Sequence, residues 1–397
     1  MTTQSSLPPL ILAIDTSCDE TSAAVTLGVN VLSNVVSSQA EIHEQYGGVF
    51  PTLAKRAHQQ NIEPVIAAAL SRAGVELSQL DAAAVTTGPG LAPALEIGIE
   101  HAQQLSSKQG LPLISVNHIE AHALSVLAEK RSRSIPFQDI LDFKSNDQPQ
   151  AANPAQLAAL LPEWKRPQLN LFPVLALVVS GGHTVFLLIK QIGAYQVLGQ
   201  TIDDAAGEAL DKVGRMLNLG YPAAPALEQL AEQGNKTRFQ FPLPMAHRSD
   251  FDLSYSGLKT HAHRLIKQLK AEGNWNQQTV KDFGASFQFA VFRHLTYKLD
   301  KLLETLSANN QHGIDQIWLG GGVARNIKLR RQLRKTASRH QLKIKTPFEK
   351  RLCSDNAAMI GIAANFHYQA QDIILPGSPQ KSQLDRQPSW SIDQVSY

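Results

Sequence analysis

Short apolar runs that end at polar turns dominate the hydrophobic pattern of this chain. LILAID runs into the polar turn TSCDETS, and the apolar stretch AAVTL follows. Continuous apolar runs of this length are typical of strands buried on both faces, so we expect a hairpin here. FPVLALVV, SGGHT and VFLLI repeat the arrangement in the second half. The repeat predicts two related lobes, each opening with a hairpin whose loop can approach a ligand.

Helical patterns alternate with such apolar runs in both halves. PTLAKRAHQQNIEPVIAAALSRAG and LEIGIEHAQQLSSKQG predict helices between the two hairpins. DDAAGEALDKVGRMLNLG predicts a helix that begins with acids and ends at Gly220, and DQIWLGGGVARNIKLRRQLRK predicts strand, glycine turn and helix. The alternation indicates an α/β architecture in both halves.

Four segments follow from the pattern. We expect a first lobe over 8–130, an inserted loop rich in Pro, Gln and Asn over 131–170, a second lobe over 171–375 and a polar tail over 376–397. The insert has room for one short helix at PAQLAALLPEW. The tail, being polar, is expected to be loosely packed.

The composition is that of an ordinary soluble globular protein. Its 397 residues are 43% hydrophobic and 18% charged, enough for two domain-sized cores. The net charge of +3 neither demands nor excludes a polyanionic partner. Only Cys18 and Cys353 are present, which argues against a disulfide framework and suits a reducing compartment. Without a basic leader region or a run long enough to span a bilayer, we expect a cytoplasmic protein with no membrane contact.

Candidate chemistry begins in the stretch VNHIEAHALS. His118 and His122 share one helix face and can bind one metal ion, although surface or capping roles suit two histidines equally well. A zinc protease of the His-Glu-x-x-His kind needs its Glu directly after the first His. Ile119 holds that position and Glu120 points to another face, so the general-base geometry is missing. A third ligand must come from elsewhere, and Asp355 in LCSDNAAM, at a turn before a predicted helix, is the candidate.

Glycine turns suggest a second ligand. VVSGGHT and LGGGVARN place small residues directly after buried strands, where backbone N–H groups can approach an anion or a flat ring. A single loop of this kind is more often an ordinary tight turn. Two loops at matching positions of two lobes favour a nucleotide cleft, although neither is a P-loop or a dinucleotide fingerprint.

Two charged segments have both a structural and a functional interpretation. Asp204, Glu208 and Asp211 follow helical spacing. A dipole match with a solvated face accounts for Asp203 and Asp204, whereas Asp211 lies deeper in the helix and could hydrogen-bond a ribose. Residues 328–345 carry eight Lys and Arg and no acid, which indicates a solvated helix face or a contact with a phosphate backbone.

Nine motifs together resemble one known family. They are IDTSCDETS, GGVFPTLAKRAH, TTGPGLAPAL, VNHIEAH, VVSGGHT, TIDDAAGEALDKVGRMLNLGYP, LSYSGLKT, LGGGVARN and CSDNAAMIG. This set resembles the tRNA N6-adenosine threonylcarbamoyltransferase family, whose bacterial member is called TsaD and which was formerly named the O-sialoglycoprotein endopeptidase family. The resemblance implies an actin-like, Hsp70-like, sugar-kinase (ASKHA) fold with two duplicated lobes around a nucleotide cleft.

The resemblance also implies a reaction and partners. The threonylcarbamoyl group passes from threonylcarbamoyl-AMP to N6 of the adenosine 3′ of the anticodon, in tRNAs that read codons starting with A. The implied partners are tRNA, TsaB and TsaE, with TsaC supplying the adenylate. A metalloprotease and a non-catalytic ATP-binding scaffold are the alternatives. The position of Glu120 argues against the first, and Ala223 and Ala224, which replace family glycines in YPAAP, would favour the second if they disable transfer.

Site residues follow by resemblance, without a catalytic role assigned beyond the metal site. His118, His122 and Asp355 match the family's ligands for one divalent ion per subunit, iron or zinc, which polarises the threonylcarbamoyl group as a Lewis acid. Contacts to an adenylate or ATP-type nucleotide are implied for Val178, Val179, Ser180, Gly181, Gly182, Asp211, Ala224 and Asn326. The chain also departs from the family pattern at Glu96 in PALEIG, where an acid is unexpected.

Overall fold

The computed structural model describes residues 8–130, 171–308, 313–379 and 384–397. The insert predicted at 131–170 therefore lies outside the described residues. Among the described helices, none combines the length and the apolar character needed to cross a bilayer.

The first half of the chain forms a mixed sheet with strand order β5-β4-β1-β2-β3-β6. Strands β1, β2 and β3 are an antiparallel meander, β4 and β5 extend it parallel to β1, and β6 pairs parallel with β3. The bounds are β1 Leu10–Asp15, β2 Glu20–Leu27, β3 Asn30–Ser38, β4 Ala82–Gly88, β5 Leu113–Asn117 and β6 Glu129–Lys130.

The second half repeats this topology with strand order β11-β10-β7-β8-β9. Strands β7, β8 and β9 are again an antiparallel meander, and β10 and β11 extend it parallel to β7. The bounds are β7 Val174–Val179, β8 Thr184–Gln191, β9 Ala194–Gln200, β10 Gln316–Gly320 and β11 Lys343–Lys345. Order and direction match β1 to β5, so the duplication predicted from the two hairpins is confirmed.

Helices cover both sheets, which explains why β1 and β7 are apolar at nearly every position. Helices α2 and α3 pack on the outer face of the first sheet, and α5 to α9 pack on the second. The bounds are α1 Ala40–Glu44, α2 Pro51–Ala73, α3 Ala92–Gln109, α4 His118–Leu124, α5 Ala206–Met216, α6 Ala223–Ala231, α7 Ser256–Ala271, α8 Gln277–Ala308, α9 Ile327–Arg339 and α10 Ala357–Gln369.

A shared core joins the two halves. Residues of α4 and α10 pack between the inner faces of both sheets, together with Ala13 of β1 and Val178 of β7. Helix α10 lies within the segment 171–375, yet it packs on the first sheet. The helix that carries the two histidines is therefore buried between the lobes.

The tail is packed where the structure describes it, so the expectation of a loose tail is wrong for residues 384–397. Gln387 N donates to Thr87 O at 2.7 Å, and Ile392 and Val395 lie in the shared core. A Cβ on Gly88 would come within 1.8 Å of Gln387 O, so the end of β4 and the tail touch at the backbone. The polar composition of the tail concealed these two apolar anchors.

Candidate metal and nucleotide site

The histidine helix is fixed at its first residue. Asn117, the last residue of β5, caps α4 by accepting hydrogen bonds from the backbone N–H groups of Ile119 at 2.9 Å and Glu120 at 3.2 Å. A Cβ on Gly320, at the end of β10, would lie 2.3 Å from His122 O. That glycine therefore lets the second sheet approach α4 closely.

The structure brings the three predicted metal ligands together. Asp355 follows the 3₁₀ turn Lys350–Cys353 and precedes α10. Its Oδ1 lies 3.0 Å from His122 Nε2 and 3.6 Å from His118 Nε2. One ligand atom from each of the three residues lies within 4.8 Å of the others. The ligands converge although 233 positions separate His122 from Asp355.

The residues present fit a bound metal ion. Nε2 of His118 and Nε2 of His122 both face Oδ1 of Asp355, so that two imidazole nitrogens and one carboxylate oxygen converge in a largely buried place. Asp15 Oδ1 lies 3.8 Å from His118 Nδ1, where it can orient that ring. Two imidazoles and one carboxylate form a donor set that both zinc and iron(II) accept, so the set does not separate the two metals.

The two histidines favour the ionised form of the carboxylate that faces them. Although burial opposes ionisation, the facing His118 and His122 hold the pKa of Asp355 well below its usual range. Burial also acts against the charged form of His118, but Asp355 and Asp15 outweigh it and raise the pKa of that histidine. Burial and the neighbouring His118 lower the pKa of His122. His122 therefore favours its neutral form, and it lies beside the ionised carboxylate of Asp355.

Two further residues beside this centre were missed from the sequence. Burial, together with Asp19 and Asp355, raises the pKa of Glu20 well above its usual value. His183 lies with its ring centroid 6.2 Å from that of His118, and burial lowers its pKa to about 3. Glu20 and His183 lie at the tips of the first and second predicted hairpins. Their matching positions in the two hairpins could have pointed to both residues from the sequence.

The glycine turns meet at the start of α5. Gly207 N donates to Ser180 O at 3.3 Å, and a Cβ on Gly321 would lie 2.3 Å from Val179 O. A Cβ on Gly181 or Gly182 would meet nothing within 4 Å, so these two positions border open space. Val178 and Val179 bury their side chains in the core, which leaves only their backbone for a ligand.

Asp211 faces the start of α6. Its Oδ1 accepts from Ala223 N at 2.6 Å, and its Oδ2 lies 3.1 Å from Arg215 Nε. Arg215 also donates to Gly47 O, which belongs to the first half of the chain. Ala224 is half-buried in the first turn of α6. A ribose contact at Asp211 remains a prediction, since both carboxylate oxygens already have protein partners.

Asn326 caps α9. Its Oδ1 accepts from Lys328 N at 2.9 Å and Leu329 N at 3.0 Å, and its Nδ2 donates to Gln288 at 2.9 Å. These contacts use Oδ1 and one of the two hydrogens on Nδ2. The nucleotide contact that the resemblance implies for Asn326 would therefore use the second Nδ2 hydrogen.

Asp203 and Asp204 have structural roles, but not the predicted one of matching the dipole at the N-terminus of a helix. Asp203 Oδ1 accepts from the backbone N–H groups of Tyr255 and Ser256 at the start of α7. Asp204 pairs with Lys212 at 2.7 Å and with Lys259. The acids thus tie α7 to the loop before α5.

Glu120 points away from the metal ligands, as expected. Its Oε1 accepts from Tyr195 Oη at 2.6 Å and Tyr397 Oη at 2.8 Å, and its Oε2 lies 2.9 Å from His367 Nε2. Glu120 is fully buried. A carboxylate so engaged cannot serve as the general base of a zinc protease.

Charged residues that the sequence left unexplained have protein partners as well. Glu96 pairs with Lys55 at 2.6 Å and with Arg386 of the tail at 2.9 Å. Within the basic segment, Arg330 donates to Ala324 O, and its Nη2 lies 3.5 Å from Cys353 Sγ. The exposed polar positions of α9 are Arg331, Arg334, Lys335, Ser338 and Arg339.

Comparison with known proteins shows which family the chain belongs to. The family model for the tRNA N6-adenosine threonylcarbamoyltransferase TsaD matches residues 30–141 and 156–362, so its interruption falls inside the predicted insert. The enzyme of that name from Nostoc punctiforme is 40% identical over 90% of this chain and 90% of its own length. The chain belongs to this family. The threonylcarbamoyltransferase of Trichlorobacter lovleyi is 39% identical over 98% of both chains. As a family member, the chain is a tRNA-modifying transferase.

A solved structure supports the fold. HypF of T. kodakarensis aligns with 92% of this chain and 48% of its own, at a TM-score of 0.53 and 14% identity. At that identity the likeness concerns the fold alone. Together with the two sheets of matching topology, it confirms the ASKHA architecture that the resemblance implied.

Proposed function

We propose that the cleft between the two lobes transfers a threonylcarbamoyl group from threonylcarbamoyl-AMP to N6 of the adenosine 3′ of the anticodon, in tRNAs that read codons starting with A. The observation that carries this proposal is the meeting of His118, His122 and Asp355 around one point between the lobes. Family membership supplies the reaction, and the three side chains supply a place for it.

A divalent ion bound by His118, His122 and Asp355, iron or zinc, would supply Lewis-acid polarisation of the threonylcarbamoyl carbonyl. The chain's own contribution is to hold the ligands in place. Asn117 fixes the start of α4, and Asp15 faces His118 Nδ1. With three protein ligands, such an ion would keep room for the substrate, as ions do at catalytic rather than structural zinc sites.

Transfer also needs a proton acceptor. The attacking N6 amine forms a bond to the carbonyl carbon and loses a proton, while AMP departs with the electrons of the broken bond. Glu20 is the carboxyl that we assign to that proton, because it lies in the first hairpin, near enough to Asp355 for their charges to interact.

The adenylate would lie against the second lobe. Gly181 and Gly182 border open space, and a nucleotide phosphate can approach backbone N–H groups there without meeting a Cβ. Asp211 and Asn326 lie on the two helices that begin beside these turns. We assign the ribose to Asp211 and an adenylate contact to the remaining amide hydrogen of Asn326.

The finer assignments of partners also belong to this proposal. We infer that TsaB-like and TsaE-like proteins assist the transfer, that a TsaC-like enzyme makes the adenylate, and that the reaction takes place in the cytoplasm. Support comes from family membership and from the bacterial origin of the matching enzymes.

Mass spectrometry of tRNA nucleosides from cells depleted of the protein tests this function. We expect loss of threonylcarbamoyladenosine, restored by the parent chain. Unchanged levels would contradict the proposal. A peptide-cleavage assay with and without chelator tests the protease alternative, and adenylate binding without any transfer would favour the scaffold alternative.

A further inference from the structure

The metal centre opens to solvent on the side of Asp355. The side chains of His118 and His122 are 5% and 0% exposed, whereas that of Asp355 is 24% exposed. A macromolecular substrate must therefore reach the centre past the residues that flank Asp355.

Two turns of the second lobe place basic side chains at this opening. The turn Lys350–Cys353 leads directly to Asp355, and its first two residues, Lys350 and Arg351, are exposed. The neighbouring turn Gly322–Arg325 ends in an exposed arginine whose Nη1 lies 3.1 Å from Ser354 Oγ. Arg325 therefore sits beside the residue that precedes the metal ligand.

Little acid neutralises these charges. Glu349 Oε1 lies 3.8 Å from Arg351 Nε, but both side chains are largely exposed, so their attraction is weak. Arg325 and Lys350 form no ion pair within the described ranges. The positive charge at the opening is thus available to a ligand, unlike that of Arg330, which faces inward.

An exposed ring accompanies the charges. The Phe348 side chain, two positions before Lys350, is 46% exposed. Basic side chains beside an exposed aromatic ring are the combination by which proteins hold single-stranded nucleic acid, through phosphate contacts and base stacking. An anticodon loop is single-stranded and carries one phosphate per nucleotide.

We propose that Arg325, Lys350 and Arg351, here called the basic rim, bind backbone phosphates of the RNA loop that carries the target adenosine. Phe348 stacks on a neighbouring base. This inference rests on the proposed function and adds the path of the RNA strand past Asp355. Arg331 and Arg334, which are exposed on α9, are not part of the rim.

The test replaces all three rim residues by Gln. We expect weaker binding of an anticodon stem-loop RNA in a fluorescence-anisotropy salt series. The slope of log affinity against log salt should fall by roughly 0.7 for each lost phosphate contact, about two in total. Metal content should stay at the parent value, because Arg325, Lys350 and Arg351 are not among the three residues that converge on the ion site.

A control variant removes the same charge elsewhere by replacing Arg72, Lys108 and Lys190 with Gln. Arg72 and Lys108 lie in the last turns of α2 and α3, which lead into the starts of β4 and β5. Lys190 lies near the end of β8, far from the turn that joins it to β7. All three are exposed and at the ends of their elements away from the cleft.

The outcomes are distinct. A rim variant whose salt slope equals that of the control overturns the rim. If the rim variant does not fold, the single variants Arg351→Gln and Phe348→Leu test the proposal, since both positions are on the surface. RNA binding equal to that of the parent in both single variants would contradict the rim. If the parent binds RNA through the rim but modifies no tRNA, the proposed function fails while the rim stands. If the parent modifies tRNA and the rim variant keeps its KM for tRNA, only the rim fails.

Discussion

Replacing Glu120 by Gln should destabilise the protein while leaving its activity nearly intact. Glu120 is fully buried and its Oε2 lies 2.9 Å from His367 Nε2. Although burial opposes the charged form, Glu120 and then Asp372 raise the pKa of His367 to about 9. The amide of Gln keeps the shape and can still accept from Tyr195 and Tyr397, but it cannot pair with a charged imidazole.

The magnitude follows from proton linkage. A histidine with an unfolded pKa of about 6.5 and a folded pKa of about 9 contributes roughly 3 kcal/mol, at about 1.4 kcal/mol per pKa unit. Because the folded pKa is the higher one, this stability is fully present below pH 6.5 and is lost as pH rises through 9. Asp372 supplies part of the shift, so about 3 kcal/mol is an upper limit for the loss in Glu120→Gln.

Urea unfolding followed by circular dichroism at pH 6 and at pH 9 measures this loss. We expect a large decrease in the free energy of unfolding at pH 6 and a much smaller one at pH 9. Asp372→Asn is the matched control, since the Asp372 side chain is half exposed and should matter less. An equal effect of Glu120→Gln at both pH values would rule out the ion pair with His367 as the source of this stability. If the parent protein cleaves peptides and Glu120→Gln is inactive, the metalloprotease alternative would be favoured instead.

Three other perturbations test the nucleotide turns and the basic helix. Asp211→Ala should weaken adenylate binding by roughly 1.5–3 kcal/mol in calorimetric titration, and unchanged affinity would remove the ribose contact. Gly181→Ala should also weaken adenylate binding while leaving the urea midpoint unchanged, because a Cβ there meets no protein atom; parent affinity would show that the nucleotide lies elsewhere. Replacing Arg331 and Arg334 by Gln should weaken tRNA binding and flatten its salt dependence by about one log-log unit per lost contact, and an unaltered slope would leave α9 a solvated face.

The features that could be predicted from the sequence are those that depend on residues close together along the chain. The two hairpins follow from apolar runs with polar tips, and each run is apolar because its strand is covered on both faces. The i, i+4 spacing alone places His118 and His122 on one helix face. Asp355 was one candidate for the third ligand, and only the family resemblance joined it to the histidines, since no local rule connects it with α4.

Contacts between distant segments were beyond the local pattern. Nothing around Glu120 indicates that His367 and Tyr397 will close over it, because these partners lie 247 and 277 positions away. Helix α10 packs on the first sheet although it follows the second in sequence, so the boundary of the lobes could not be drawn from order alone. The tail looked loose because two buried apolar anchors are hidden among many polar residues.

Transfer should depend on the ion that His118, His122 and Asp355 hold. The decisive experiment combines elemental analysis and a tRNA-modification assay of purified His122→Ala, with AMP titration alongside. We expect sharply reduced metal content and modification with AMP affinity near that of the parent, because a shell of three ligands loses one and the nucleotide turns do not depend on it. A His122→Ala protein with full metal content and full activity would show that His122 does not hold the ion, and would contradict the site assigned to His118, His122 and Asp355.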